Sequence, residues 1–179
     1  DNMPEIVREV ADRGHEVASK GYYHRKITAF SEASFREDLL RAREAIERAS
    51  GREVVGYRIA EGALGPSDLW ALDQLAEEGF AYDSSIYPRL RTWASEPWRR
   101  FQHVHTHQGA ELTEMPLSTW SIAGLALPAA GGNSFRQLPH AIMEGAIRRW
   151  EARFSSPFNM FFHVWDFDPD LPRISSAGP

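Results

Sequence analysis

Three places in the chain carry polar side chains suited to binding and protonating oxygen-rich ligands: Lys20 with His24, Arg58, and His163 with Trp165 and Asp166. Ammonium and guanidinium groups donate hydrogen bonds to sugar or carbonyl oxygens, and an imidazole can hand over a proton near neutral pH. Each place lies where a short apolar run ends, and groups at the ends of neighbouring strands tend to converge on one cleft. That chemistry gives a cationic, imidazole-bearing cleft and no particular reaction. Taken singly, a histidine is more often a hydrogen-bonded structural residue than a ligand, and an arginine at a strand end is as often an ion-pair partner. A second pattern is His103-Val104-His105-Thr106-His107. Residues i, i+2 and i+4 of a strand face one side, so three imidazoles could share a zinc ion. The stretch has no carboxylate close in sequence to orient the rings, which favours a solvated strand or loop over a metal site.

The elements that must position these groups follow from periodicity. Residues 4–13 carry Ile6, Val7, Val10 and Ala11 at helical spacing, with Pro4 in the first turn and Gly14 placed to end the helix. His15–Ser19 reads as a short buried strand delivering Lys20 to His24. Ser34 is expected to cap a long amphipathic helix through Ala49, with Glu37 three residues on and Phe35, Leu39, Leu40, Ala42, Ala45 and Ile46 facing inward. Val54–Arg58 is a strand, Ser67–Glu78 a helix, and Phe80–Asp83 a strand. Residues 84–109 form an irregular connection longer than most. A strand over Leu112–Pro116 and a Gly/Pro-rich stretch over 123–133 lead to a helix over Pro139–Phe154. Phe158–Trp165 is nearly continuous in apolar residues and reads as a strand buried on both faces. Strands alternating with helices point to an α/β sheet or barrel with mainly parallel strands, whose chemistry sits at the strand C-terminal ends.

Composition bounds the function. The chain has 179 residues, 42% hydrophobic and 25% charged, as expected of one ordinary globular domain. Its net charge of −5 argues against a nucleic-acid partner, since phosphate binding needs a concentrated basic surface. The pairs Arg99-Arg100 and Arg148-Arg149 sit among acidic residues and read as solvated faces. Cysteine is absent, which removes disulfide and thiolate chemistry. No run reaches the roughly 18 apolar residues of a membrane span, and no targeting segment is evident. The compartment, bacterial cytoplasm or cell envelope, stays open.

Residues 4–25, with Gly14-His15-Glu16-Val17-Ala18-Ser19-Lys20-Gly21-Tyr22-Tyr23-His24, resemble the second motif region of polysaccharide deacetylases. These are carbohydrate esterase family 4 enzymes, also called the NodB-homology domain. Gly56-Tyr57-Arg58 is similar to the third motif, and Trp70–Asp73, Leu75–Phe80 and Tyr82–Ile86 resemble the next helix and strand. Glu114–Thr119, Leu127–Gly132 with Phe135-Arg136, and Phe161–Asp166 with Asp168-Pro169 and Pro172–Ile174 resemble the subfamily associated with bacterial exopolysaccharide loci. The resemblance implies an α/β fold, a distorted or incomplete (β/α) barrel of the deacetylase type lacking its first strand or strands. It implies removal of acetyl groups from N-acetylated sugars of a polysaccharide, with a divalent metal, zinc or similar, polarising the amide and activating water. His24 then matches a metal histidine, Arg58 the arginine that orients the catalytic base, and His163 the acid that protonates the leaving amine. Trp165 and Tyr57 are expected on the sugar side of the cleft.

The departures from the family pattern shape the expectation. The first motif, with the catalytic base and the metal-binding Asp, is expected upstream of Pro4, so the single domain over 1–179 reads as N-terminally incomplete. Lys20 stands where the first metal histidine is expected, Ile59-Ala60 follows Arg58 in place of Ala-Pro, and Val164 follows His163 in place of Pro. An ammonium four residues from His24 repels a dication at short range, so metal binding is expected to be weak or absent. Three readings stay open: a piece or altered form of a working deacetylase, a pseudoenzyme that binds polysaccharide without hydrolysing it, and an enzyme in which Lys20 takes over part of the metal's electrostatic role. Missing strands would also leave an open sheet edge, inviting self-association.

Overall fold

The computed structural model describes residues 3–122 and 125–170; the Pro172–Ile174 motif and residues 123 and 124 lie outside them. Helix α1 spans Pro4–Asp12, with proline in its first turn, and Gly14 leaves it at φ +83°. It packs along α2, Glu32–Ser50, where Arg8 Nε donates to the Ala49 carbonyl at 3.2 Å. The cap of α2 is Ser31, not Ser34: the Ser31 hydroxyl accepts from the Ser34 amide, and Ser34 Oγ accepts from the Ser31 amide at 2.9 Å. Ser34 thus closes the box as the third residue, the role expected of Glu37 one turn later. The inward face of α2 is Phe35, Asp38, Leu39 and Ala42, while Leu40 is 43% exposed.

One sheet organises the chain in the order β1-β2-β4-β3. Its strands are β1 Gly56–Tyr57, β2 Tyr82–Asp83, β3 His103–His107 and β4 Ala110–Glu114. β1, β2 and β4 are parallel and β3 returns antiparallel on β4, so the mainly parallel expectation holds for the inner strands and not for the edge. β3 falls inside the stretch expected to be irregular. The tight turn at Gln108-Gly109, with φ +48° and +85°, turns His103–Glu114 into a hairpin. α3, Trp70–Glu77, crosses from β1 to β2. The core lies between this sheet and helices α2 and α3, with Phe35 and Leu39 meeting Ala71, Leu72 and Leu75, and Val54, Tyr57, Phe80 and Leu112 from the sheet side. Gly56 is needed there, because a Cβ would lie 2.1 Å from the Tyr82 ring.

Two expected strands are largely absent. Within His15–Ser19 only Ser19 bridges the sheet, donating to the Gly56 carbonyl and accepting from the Arg58 amide, both at 2.9 Å. The Phe158–Trp165 run makes one bridge, Phe161 to Gly131, then turns into a 3-10 helix over Val164–Phe167. A run buried on both faces needs neighbours on both sides. Here the rings pack on one another and on nearby helices instead, Phe162 edge-on to Phe135 and Phe161 edge-on to His163. The second half is completed by a hairpin of β5, Thr119–Ile122, and β6, Leu125–Pro128, then α4, Gly132–Gln137, and α5, His140–Arg153.

Candidate functional site

The loops that follow Ser19, β1 and β2 meet the Phe161–His163 segment around a cleft of about 230 Å3. Lys20, Arg58, Ser84, Ser85, Tyr87 and His163 line it, with Ile59, Leu117 and Phe161 as its apolar wall. Three of the residues singled out by their chemistry therefore converge. Lys20 reaches it because Ser19 is pinned to β1 on both sides. Burial, and then the Arg58 charge beside it, hold the Lys20 ammonium below its ordinary pKa. Burial also lowers Arg58, offset in part by the Asp83 and Glu114 carboxyls beneath it.

Arg58 is held rigidly by Ser84. Its Nε donates to the Ser84 carbonyl at 2.8 Å and its Nη2 to the Ser84 hydroxyl at 2.6 Å. The same hydroxyl donates to the Met115 carbonyl at 2.5 Å and accepts from Asn159 Nδ2 at 2.9 Å. Asn159 Nδ2 also donates to the Met115 carbonyl at 2.7 Å, and its backbone amide to Ser118 Oγ at 2.8 Å. One buried serine thus ties the end of β1, the end of β2, the segment after β4 and the aromatic segment into a single network.

Beneath the cleft Asp83 and Glu114 are partners in the β2–β4 register, and both are completely buried. Burial raises both carboxyls, Glu114 well above its usual range, with the neighbouring Asp83 charge adding to it. Two carboxylates side by side out of water cannot both ionise, so the pair keeps a proton. Glu114 Oε1 accepts from the Ile86 amide at 3.0 Å, and Oε2 has no donor among the described residues. Asp83 in turn accepts from the Ser85 amide and hydroxyl at 2.9 and 2.7 Å, fixing Ser85 in the cleft wall.

His163 lies at the rim with its side chain 38% exposed. The Trp165 ring stacks on it at 4.1 Å and 12°. Asp166 Oδ2 accepts from the His163 amide at 2.8 Å and lies 3.7 Å from His163 Nδ1, while Oδ1 faces Arg136 Nη2 at 3.3 Å. Gly132 makes room for that carboxylate, since a Cβ there would lie 1.9 Å from Asp166 Oδ2.

Other expected site residues stand elsewhere. Tyr57 is 2% exposed and packs edge-on to Phe35 and Phe80 in the core, where burial followed by Asp83 and Asp38 raises its hydroxyl's pKa. Tyr57 does not line the cleft. His24 is exposed, at φ +52°, and is also outside the cleft lining. Its turn is held by Asp38, which accepts from the Tyr22 and Tyr23 amides at 2.9 and 2.8 Å. Among the described residues no group of three His, Asp, Glu or Cys stands so as to hold a metal ion. With Lys20 and Arg58 bringing two positive charges into the cleft, its described residues do not fit a divalent cation.

His103, His105 and His107 do share one half-buried face of β3. Carboxylates distant in sequence reach them from α3: Asp73 Oδ1 lies 2.7 Å from His105 Nε2 and 3.1 Å from His107 Nδ1, and Glu77 Oε1 lies 3.3 Å from His107 Nε2. These contacts fasten the edge strand to the helix.

Sequence reading missed Ser84, Asn159, Asp38 and the Asp83–Glu114 pair. Asn159 had a visible signal, as the one amide inside an apolar run, and Asp38 had another, as an acid on the apolar stripe of a helix.

The sequence model described as polysaccharide deacetylase matches residues 1–79, and that described as a domain of unknown function (DUF3473) matches residues 84–179. A putative polysaccharide deacetylase from Mycobacterium smegmatis is similar in structure at TM-score 0.53 and 26% identity, covering 84% of this chain and 48% of that one. The chain thus spans about half of that relative's length. The family 4 carbohydrate esterase from Streptomyces lividans, in complex with acetate, matches at TM-score 0.52 and 14% identity over 93% of this chain and 60% of that one. A 4-alpha-glucanotransferase from Thermococcus litoralis matches in fold at TM-score 0.61 and 14% identity, over 93% and 24%. No curated protein is significantly similar in sequence. No described helix is long and apolar enough to cross a membrane. The four-stranded α/β sheet is that of an incomplete deacetylase-type (β/α) barrel. Residues 1–79 thus match the polysaccharide deacetylase model, and through residues 84–179, more than half of its length, the chain belongs to the DUF3473 domain family.

Proposed function

We propose that the Lys20–Arg58–His163 cleft takes an acetamido-bearing sugar unit of a polysaccharide, and that amide hydrolysis at this site is impaired by Lys20. The observation that carries the reading is the convergence of two donor cations and one imidazole on a single cleft of sugar-ring dimensions. Lys20 and Arg58 are suited to donate to the acetamido oxygen, Phe161 and Trp165 to pack on the ring face, and His163 Nε2 to pass a proton to a leaving amine nitrogen. In the family a divalent metal supplies the electrophile and the activated water. The motif run Glu114–Thr119 and the Phe161–Asp166 segment support a finer setting in bacterial exopolysaccharide modification.

The alternative, binding with no hydrolysis at all, is favoured by one observation, the ammonium of Lys20 lying in the cleft beside Arg58. Calorimetry with N-acetylglucosamine oligomers tests the binding, and acetate release with and without added zinc or cobalt tests the hydrolysis, each for the full-length protein and its Lys20→His form. Binding that falls about tenfold in Trp165→Ala, with acetate released by Lys20→His and little by the parent, is the expected result. Binding with no release in either form gives the alternative. Failure of both proteins to bind the oligomers refutes both readings.

A further inference from the structure

The arginine pairs that read as solvated faces divide in the structure. Arg99 pairs with Glu96, and Arg148 pairs with Glu144 at 2.5 Å. Their sequence neighbours Arg100 and Arg149 turn instead into a second cleft of about 220 Å3, joined there by Arg153. It shares no lining residue with the cleft of Lys20 and Arg58. Among the described residues none of these three has a carboxylate partner. Arg149 and Arg153 are one helical turn apart on α5, a like-charge spacing that destabilises a helix unless an anion relieves it. Arg100 donates only long hydrogen bonds, at 3.3 Å, to Thr119 Oγ1 and to the Thr119 carbonyl. Burial, and then the charge of Arg153, lower its pKa. Three unneutralised guanidinium groups thus gather at one place on a protein of net charge −5.

The walls between them are aromatic. Trp120, Trp150 and Phe158 line the cleft, and Trp150 is fixed by an Nε1 hydrogen bond to the Ser156 carbonyl at 2.6 Å and by edge-on contact with Phe158 at 5.6 Å. With Trp150 buried beneath them, the half-buried Trp120 and Phe158 rings beside guanidinium forks match a ring with an apolar face that carries a planar anion. The volume is below the roughly 300–1,000 Å3 usual for larger ligands, which favours a unit of about one ring over a nucleotide.

We propose that the Arg100–Arg149–Arg153 cleft is a second saccharide site, recognising a sugar ring that bears a carboxylate. It stands independently of the reaction at the first cleft, because its test is a binding measurement at other residues.

Calorimetric titration with trigalacturonate at low salt, against neutral tri-N-acetylchitotriose and inorganic sulfate, tests it. The parent protein is expected to bind trigalacturonate saturably, and the Arg149→Gln/Arg153→Gln double variant about tenfold more weakly, the loss of charge-assisted hydrogen bonds. Arg148→Gln changes the charge on the same helix outside the cleft and is expected to leave affinity within about twofold. Arg149→Gln alone, at an exposed position, supplies a comparison in the same direction if the double variant does not fold. The proposal is overturned by no binding of trigalacturonate, by equal weakening in Arg148→Gln, or by sulfate or adenosine monophosphate binding as tightly as trigalacturonate.

Discussion

Replacing Ser84 by alanine removes one oxygen from the centre of the network that fixes Arg58, and its effect can be worked out bond by bond. The hydrogen bond from Arg58 Nη2, at 2.6 Å, is charge-assisted and contributes about 1.5–3 kcal/mol. The bond from the Ser84 hydroxyl to the Met115 carbonyl is neutral and adds about 1 kcal/mol. Asn159 loses little, because its amide keeps the Met115 carbonyl at 2.7 Å and has the Pro116 carbonyl at 3.3 Å. Arg58 Nε keeps its bond to the Ser84 main chain, so the guanidinium is loosened and not released. The sum is a loss of about 2.5–4 kcal/mol, read as a lower urea midpoint with an unchanged slope. A cycle with Arg58→Gln isolates the charge-assisted bond and is expected to show a coupling of about 1–2 kcal/mol. A loss in Ser84→Ala below about 1 kcal/mol, or no coupling in the cycle, refutes the assignment of Ser84 as the anchor of Arg58.

Two further predictions concern buried acids. The Asp83 and Glu114 carboxyls are raised by burial, so the folded state holds protons more tightly than the unfolded chain. Their contribution to stability is complete below the ordinary carboxylate range, near pH 4, and is lost as pH rises toward their folded values. Glu114→Gln cannot ionise, so its urea midpoint is expected to fall less than the parent's between pH 4 and pH 8; parallel profiles would show that the pair holds no proton. Asp38→Ala leaves the Tyr22 and Tyr23 amides without their acceptor, and equilibrium denaturation is expected to show a loss of about 2–4 kcal/mol. A midpoint like the parent's refutes the role of Asp38 in holding the Lys20–His24 turn.

What the sequence made legible was local pattern. Helix periodicity located α2, α3 and α5 to within a few residues, and Lys20, Arg58 and His163 line one cleft as expected, although two of the three strands expected to carry them are single bridges. The errors arose where tertiary partners decide. Phe158–Trp165 has the composition of an inner strand, yet it bridges a neighbour at Phe161 alone, and the backbone turns at Val164. The resemblance implies Tyr57 on the sugar side of the cleft, but successive residues of a strand face opposite sides, and with Arg58 in the cleft Tyr57 lies in the core. The carboxylates beside the β3 histidines lie some thirty positions away, on α3, where no local window reveals them. The unpaired arginines were hidden by their paired neighbours, since composition averages over a face that the fold splits.

The cradle at Gly132 has a consequence for motion. The backbone of the segment bearing His163 and Trp165 is tied to the rest of the protein by the bridge at Phe161 and by Asn159, and beyond them by ring contacts and a carboxylate seated where a side chain at position 132 would be. Few backbone hydrogen bonds secure it, so its amides are exposed by a local opening of small free energy, while those of β2 and β4 exchange only when the core comes apart. The wall of the cleft that carries His163 can therefore open locally while the sheet beneath it stays folded.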